Sequence, residues 1–313
     1  MKNLKSIKNL VSHTPLVKIT YSFENYTRHV YAKCEWFSLT GSIKDKVAYQ
    51  IFCDAYESGN LKTGEPVVEV SSGNMGISIC AMGNLLNNPV TIIMPKNMSE
   101  ERKALIRQYG ARLVETEDFA SAFQLEQEYI AKGYFCTNQF ENKSNIKVHK
   151  NITAKEILEK LSKEKFDAFV SGVGTGGTLC GVGKVLKEKR HARVVAIEPA
   201  NARILSGEEP HKHHQIQGIS DEIVPALYDS TFVDEILPIT DEDAIAMSQK
   251  LCKELAMSVG ISSGANFLGC VLSKLSAVTV FPDDNKKYLS TALSAPITTP
   301  LTEKIKLLSI KVL

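Results

Sequence analysis

Short apolar runs rich in β-branched residues alternate along this chain with longer segments of helical periodicity, and this alternation constrains the fold more than any other feature. The runs are "HVYAKCEW", "PVVEV", "VTIIMP", "ARLVET", "YFCT", "DAFVSGV", "RVVAIEP" and "AVTVFP". Between them lie "IKDKVAYQIFCDAYESG", "EERKALIRQYG", "IKVHKNITAKEILEKL" and "DEDAIAMSQKLCKELA". In the second of these, Ala104, Leu105 and Tyr109 are expected on one face. Strand–helix–strand alternation with strands this apolar predicts an α/β protein whose mostly parallel sheet is covered on both sides. The polar stretch "NQFENKSNIKVHK" breaks the pattern near residue 145 and marks a domain boundary.

Composition removes several classes. The 313 residues suffice for one large or two ordinary domains. Lys plus Arg number 37 and Asp plus Glu 35, a net charge of +2 that provides no footprint for nucleic acid or a membrane surface. The 7 cysteines are scattered without a C-x-x-C pair, which fits reduced thiols in a cytoplasmic protein. The N-terminus lacks the apolar run of a signal peptide, and no stretch approaches the length of a membrane span.

Ligands of parallel α/β sheets bind beyond the carboxyl ends of the strands. Three Gly- and Ser-rich turns fall at such places: "SSGNMG", "GVGTGG" and "VGISSGAN". In the second, Gly172, Gly174 and Gly177 fit the G-x-G-x-x-G fingerprint, and Glu198 lies 21 residues further on, where a ribose-binding acid belongs. That spacing admits an NAD-dependent dehydrogenase. It equally admits any phosphate held by backbone N–H groups at a helix start, with Glu198 closing a strand. Ser71 and Ser72 in "SSGNMG" read either as helix caps or as part of a carboxylate-binding turn. Lys44 in "TGSIKDK" sits in a first helical turn, where a cation is disfavoured. It reads as a solvated lysine offset by Asp45, or as an amine for carbonyl chemistry.

Taken together, "TGSIKDK", "SSGNMG", "GVGTGGT", "HHQIQGIS" and "VGISSGA" resemble, in order and spacing, the cysteine synthase and cystathionine β-synthase family. "HTPLVKI" and "FPDDNKKYLST" extend the resemblance over about residues 13 to 290. The resemblance implies a fold type II enzyme of the tryptophan synthase β type with pyridoxal 5′-phosphate (PLP) in the cleft between two α/β domains. Residues 38–145 would form a smaller domain with the "SSGNMG" loop, and 1–37 plus 146–313 a larger one with the phosphate loop. It implies that Lys44 carries the cofactor as an internal aldimine, that Asn74 bonds its ring hydroxyl and that Ser262 faces its ring nitrogen. Gly174, Thr175, Gly176, Gly177 and Thr178 would cradle the phosphate. Ser71, Ser72, Gly73, Met75, Gln139 and Gly218 fall in the substrate-binding positions.

The chain departs from the family pattern in ways that bear on substrate. Ser38, Leu39 and Thr40 replace the usual Asn-Pro-Gly/Thr, and Lys46 replaces an arginine. Met75 stands where a threonine is usual, losing a hydroxyl beside the substrate carboxylate. Ser220, Asp221 and Glu222 replace the usual Gly-Ala-Gly after Gly218-Ile219. Asp221 and Glu222 read as solvated loop residues, or as catalytic acids that hold the amino group of a thiol substrate or activate water. The histidines of "PHKHHQ" match no zinc spacing, so no metal is expected, and Cys180 and Cys270 read as core residues. In the tail, Leu301, Ile305, Leu308 and Val312 are spaced for a docking helix.

The resemblance implies β-replacement on an O-activated L-serine such as O-acetylserine, with sulfide giving L-cysteine through an aminoacrylate. Lys44, once displaced from the cofactor, is the general base at Cα. The alternative is reaction on L-cysteine with release of hydrogen sulfide, water or a second thiol entering. A homodimer is implied, and binding of the C-terminus of serine acetyltransferase, as in some relatives, is a possible partnership. An idle relative acting only as a binding partner is disfavoured, because Lys44, Asn74 and Ser262 are all present.

Overall fold

The structure, a computed structural model, describes residues 2–71, 73–208, 213–220 and 224–313. Helix α1 (Lys2–Val11) leads into two strands, β1 (Leu16–Phe23) and β2 (Tyr26–Cys34). An alternating run follows: α2 (Lys44–Ser58), β3 (Val67–Val70), α3 (Asn74–Leu86), β4 (Val90–Pro95), α4 (Glu100–Gln108), β5 (Arg112–Thr116), α5 (Phe119–Ala131) and β6 (Phe135–Cys136). Then come α6 (Ser144–Val148), a π-helical turn at His149–Thr153, and α7 (Ala154–Lys160). The remainder comprises β7 (Ala168–Gly172), α8 (Gly177–Arg190), β8 (Arg193–Pro199), β9 (Glu235–Ile239), α9 (Asp241–Leu255), α10 (Ile261–Leu272), β10 (Ala277–Phe281), α11 (Pro300–Glu303) and β11 (Lys306–Val312). Among the described residues, no helix is long and apolar enough to cross a membrane.

The chain divides into two compact units, one holding α1 with Ser38–Asn145, the other His13–Phe37 with Ile146–Leu313. The first unit has a sheet of order β5-β4-β3-β6, parallel throughout. All residues of β3 and β4 are buried, the pattern of strands covered on both faces. The second unit has a seven-stranded sheet of order β11-β1-β2-β10-β7-β8-β9. Its β2–β10–β7–β8–β9 part is parallel, and β1 and β11 extend it antiparallel. The sheets are thus mostly parallel, in an α/β fold of the expected class.

Three expectations need correction, and two strands are added. Residues 1–37 do not stay together: α1 buries Leu4, Ile7 and Val11, a helical stripe, and packs on α2 in the first unit. On α4 the covered residues are Arg102, Lys103 and Ile106, while Ala104 is exposed and Leu105 and Tyr109 are half-buried. Lys103 can turn inward because its Nζ meets Glu100 at 2.9 Å, Glu115 at 2.8 Å and the Lys96 carbonyl, while its stem covers apolar surface. The tail is not one docking helix: only Pro300–Glu303 is helical, and Lys306–Val312 form β11 against the free edge of β1. Strands β1 and β9, absent from the sequence reading, complete the larger sheet. β1 alternates buried and half-buried residues as an ordinary two-faced strand does.

Candidate active site

In the first unit, Lys44 opens α2, half-buried, its N–H donating to Ser42 Oγ at 3.3 Å. Asp45 does not offset it in solvent. Its fully buried carboxylate accepts from Thr40 N at 2.7 Å, Thr40 Oγ1 at 2.6 Å and Ser78 Oγ at 2.7 Å. Asp45 therefore ties the loop before Lys44 to α3. At the end of β3, Ser71 Oγ accepts from Gly73 N at 3.4 Å and Gly76 N at 3.0 Å, so Ser71 satisfies a first-turn donor of α3 although the N-cap itself is Gly73. Gly73 borders open space at the start of α3, whose first turn carries no acid, a setting that favours a carboxylate. Asn74 is the first residue of that helix and Met75 is buried behind it. Gln139 follows β6, the strand beside β3. Ser71, Gly73, Met75 and Gln139 thus lie beyond the carboxyl ends of two adjacent parallel strands. Ser72 lies outside the described residues.

In the second unit, β7 ends in the glycine turn. Gly176 takes a left-handed φ of 84° at the N-cap of α8, and a Cβ there would lie 2.9 Å from Tyr228 N. A Cβ on Gly174 would lie 2.4 Å from the carbonyl oxygen of Gly218. The turn is therefore pressed against Gly218 and against Leu227 and Tyr228, and only glycine fits. Ser220 N donates to Val173 O at 2.9 Å and holds the two together. The backbone amides of Gly176, Gly177 and Thr178, the hydroxyls of Thr175 and Thr178, and a helix start free of acids form a donor set suited to a phosphate dianion. Ser262 is buried in the first turn of α10. Asp221 and Glu222 lie outside the described residues.

One site neighbour escapes the sequence reading. His149, in the π-helical turn, lies 3.3 Å from Thr178 Oγ1 through Nε2 and 3.0 Å from Thr153 Oγ1 through Nδ1. A lone histidine in "KVHKN" gives no local signal; only its packing under α8, where Gly181 leaves room for it, shows the link. Glu198 is taken up structurally: buried, it accepts from Leu205 N at 2.9 Å and from Ser206, which argues against a ribose-binding role. His214 donates from Nε2 to Ser220 O at 2.9 Å and steadies the loop after Gly218. Cys180 and Cys270 are buried, as read. Among the described residues, the one group with metal-ligand proximity is Glu69, Glu126 and Cys136, their ligand atoms within 4.8 Å of one another.

These sites suit an enzyme whose cofactor carries a phosphate and whose substrate carries a carboxylate. The model of the family described as pyridoxal-phosphate dependent enzyme matches residues 7–285. The chain belongs to that family, in its fold type II, cysteine synthase-like branch, and its cofactor is PLP. It is 37% identical over 306 residues to a cysteine synthase of Staphylococcus aureus, covering 93% of this chain and 97% of the relative. It is also similar to a hydrogen sulfide-producing enzyme from Fusobacterium nucleatum, at TM-score 0.95 and 40% identity over 100% of this chain and 99% of that one. O-acetylserine sulfhydrylase isoform 3 of Entamoeba histolytica matches at TM-score 0.87 and 36% identity, over 95% of this chain and 94% of that one.

Proposed function

We propose that this enzyme exchanges the β-substituent of L-cysteine, releasing hydrogen sulfide and, with water as nucleophile, forming L-serine. The Cβ–S bond breaks and a Cβ–O bond forms, while the Cα proton leaves and returns. The observation that carries this reading is the match to the hydrogen sulfide-producing enzyme across the whole chain. Met75, buried beside the substrate end of β3, and the acids Asp221 and Glu222 are consistent with it. A second reading, β-replacement on O-acetylserine with sulfide to give L-cysteine, is supported by the identity to cysteine synthases.

PLP, when bound, supplies the electron sink that eases loss of the Cα proton and of the β-substituent. We assign its phosphate to the turn from Gly174 to Thr178, its ring hydroxyl to Asn74 and its ring nitrogen to Ser262. The amine of Lys44 anchors the cofactor and moves the proton at Cα. The start of α3, with Ser71, Ser72, Gly73 and Gln139, holds the substrate carboxylate. Asp221 and Glu222 serve the incoming nucleophile. Homodimer formation and capture of a serine acetyltransferase C-terminus extend the proposal to partners.

The test is a pair of assays on the holoenzyme. Sulfide release from L-cysteine alone, with serine as co-product, is expected to exceed cysteine formation from O-acetylserine and sulfide. The reverse order, persisting in an Asp221→Ala, Glu222→Gly double variant, would establish the second reading instead.

A further inference from the structure

Strands β3 and β6 pair only over Val67 with Phe135 and Val68 with Cys136, and then part. Beyond that point two carboxylates take the place of the ladder. Glu126, on α5, accepts from Val70 N at 2.9 Å. Glu69, on β3 and 2% exposed, accepts from the Thr137 hydroxyl, and the backbone N–H groups of Asn138 and Gln139 favour its ionised form. The turn it holds is fixed from the far side as well: Asn142 Nδ2 donates to Thr137 O at 3.0 Å and Asn145 Nδ2 to Gln139 O at 3.0 Å.

We propose that Glu69 is a positioning residue for the substrate: its carboxylate ties the Thr137–Gln139 turn to the end of β3 and so sets Gln139 relative to the loop at Ser71–Met75. This rests on the placement of the substrate carboxylate at those two segments. A parallel sheet opens its binding crevice where strands part. The N–H groups left there need acceptors, and buried donors are costly to leave unmade. One carboxylate offers enough lone pairs for three donors, whereas an amide offers one oxygen and sets N–H against N–H. The same saturation argues against a metal at Glu69, Glu126 and Cys136, since the thiol also serves Glu126.

Glu69 titrates in a useful range. Burial, with the neighbouring Glu126, pushes its carboxyl up to about 7, against the hydrogen bonds from Thr137, Gln139 and Asn138 that favour the ionised form. The titratable groups facing it are Glu126 and Cys136, both themselves raised by burial. Ionised Glu69 attracts the Thr137 hydroxyl and the Asn138 and Gln139 N–H groups more strongly than protonated Glu69 does, so the grip on substrate should loosen as the pH falls below about 7.

The test uses L-serine, which carries the carboxylate without a good leaving group. Binding to the holoenzyme is followed by calorimetry between pH 6 and pH 8, with amide exchange of residues 137–139 alongside. In Glu69→Gln we expect a Kd about tenfold weaker at the upper pH, the loss of one hydrogen-bond set. The ratio of the variant's Kd to the wild type's should fall from about tenfold at the upper pH towards unity at the lower, which cancels the pH dependence of the serine amino group common to both, and exchange at 137–139 should speed up. Thr137→Val, which removes one donor and leaves Glu69 in place, should weaken binding about threefold, a change of about 0.7 kcal/mol, and serves if the first variant folds poorly. An unchanged Kd in both variants would overturn the proposal, whichever β-substituent the enzyme prefers. Failure of the wild type to bind L-serine at all would instead overturn the placement of the substrate carboxylate.

Discussion

At the scale of single residues, the glycine turn makes a sharp demand. Gly174 and Gly218 approach so closely that one methyl group must move backbone, because the atom it would meet at 2.4 Å is a carbonyl oxygen. Overpacking of this kind costs about 1–3 kcal/mol. Since the displaced atoms are those assigned to the phosphate, Gly174→Ala should weaken cofactor retention about tenfold or more, read as loss of cofactor absorbance on dialysis. Gly207→Ala is the control: φ is +79° but nothing lies within 4 Å, so it should strain the backbone and leave retention unchanged. Equal loss in both would remove the phosphate assignment. The fingerprint of these glycines was legible in the sequence, because phosphate binding needs only local backbone. What it binds needed the other motifs around it, since a nucleotide and PLP ask the same of the glycines alone. Glu198 shows the limit: its spacing suited a ribose, and only the 203–206 loop folded over it reveals a structural acid. Glu69 and His149 gave no signal at all, because Thr137 and Thr178, the partners that link them to the site, lie 68 and 29 residues away in the chain.

At the scale of elements, periodicity identified the buried parallel strands and the long helices but misread the tail. "LLSIKV" satisfies a helical spacing through Leu308 and Val312 and an alternating one through Leu308, Ile310 and Val312. The free edge of β1 decides between them, offering a row of backbone partners from Val17↔Val312 to Ser22↔Lys306, with one register shift between Thr20 and Tyr21. A helix there would leave that edge bare, with Val17, Ile19, Tyr21 and Phe23 of β1 in the core beneath. Truncation after Ile305 should therefore cost about 2 kcal/mol or more, from Leu307 uncovered and the ladder lost, and should raise light scattering as β1 becomes an exposed edge. Val312→Thr, on the exposed face, should stay within about 0.5 kcal/mol of wild type in urea unfolding. A truncated chain as stable and as soluble as the parent would show that β11 is an ornament of the sheet and not its seal.

For the whole molecule, Glu69 sets grip and stability against each other. In the unfolded chain an ordinary glutamate gives up its proton near 4.5, whereas in the folded protein Glu69 keeps it up to about 7. Between those values the folded state binds more protons than the unfolded state. Its contribution to stability is then fully present below 4.5 and is lost as the pH rises through about 7. The interval corresponds to about 3 kcal/mol. A raw stability curve mixes this with carboxyls of the opposite sign, such as Glu115 and Glu164, whose lysine partners hold them low and whose contributions fade as the pH falls. Glu69→Gln removes one titration and leaves the others. The stability of wild type relative to this variant should therefore drop by about 3 kcal/mol between pH 4.5 and 8, measured as urea midpoints at each pH. A difference that stays flat with pH would mean that Glu69 ionises as an ordinary glutamate, and the predicted loosening of L-serine below neutral pH would fall with it. If the difference has the expected slope, the ionised carboxylate that best orders Gln139 is the form the folded protein holds at a cost. Such a group is kept for what it positions, since as a contribution to stability alone a neutral side chain would serve better.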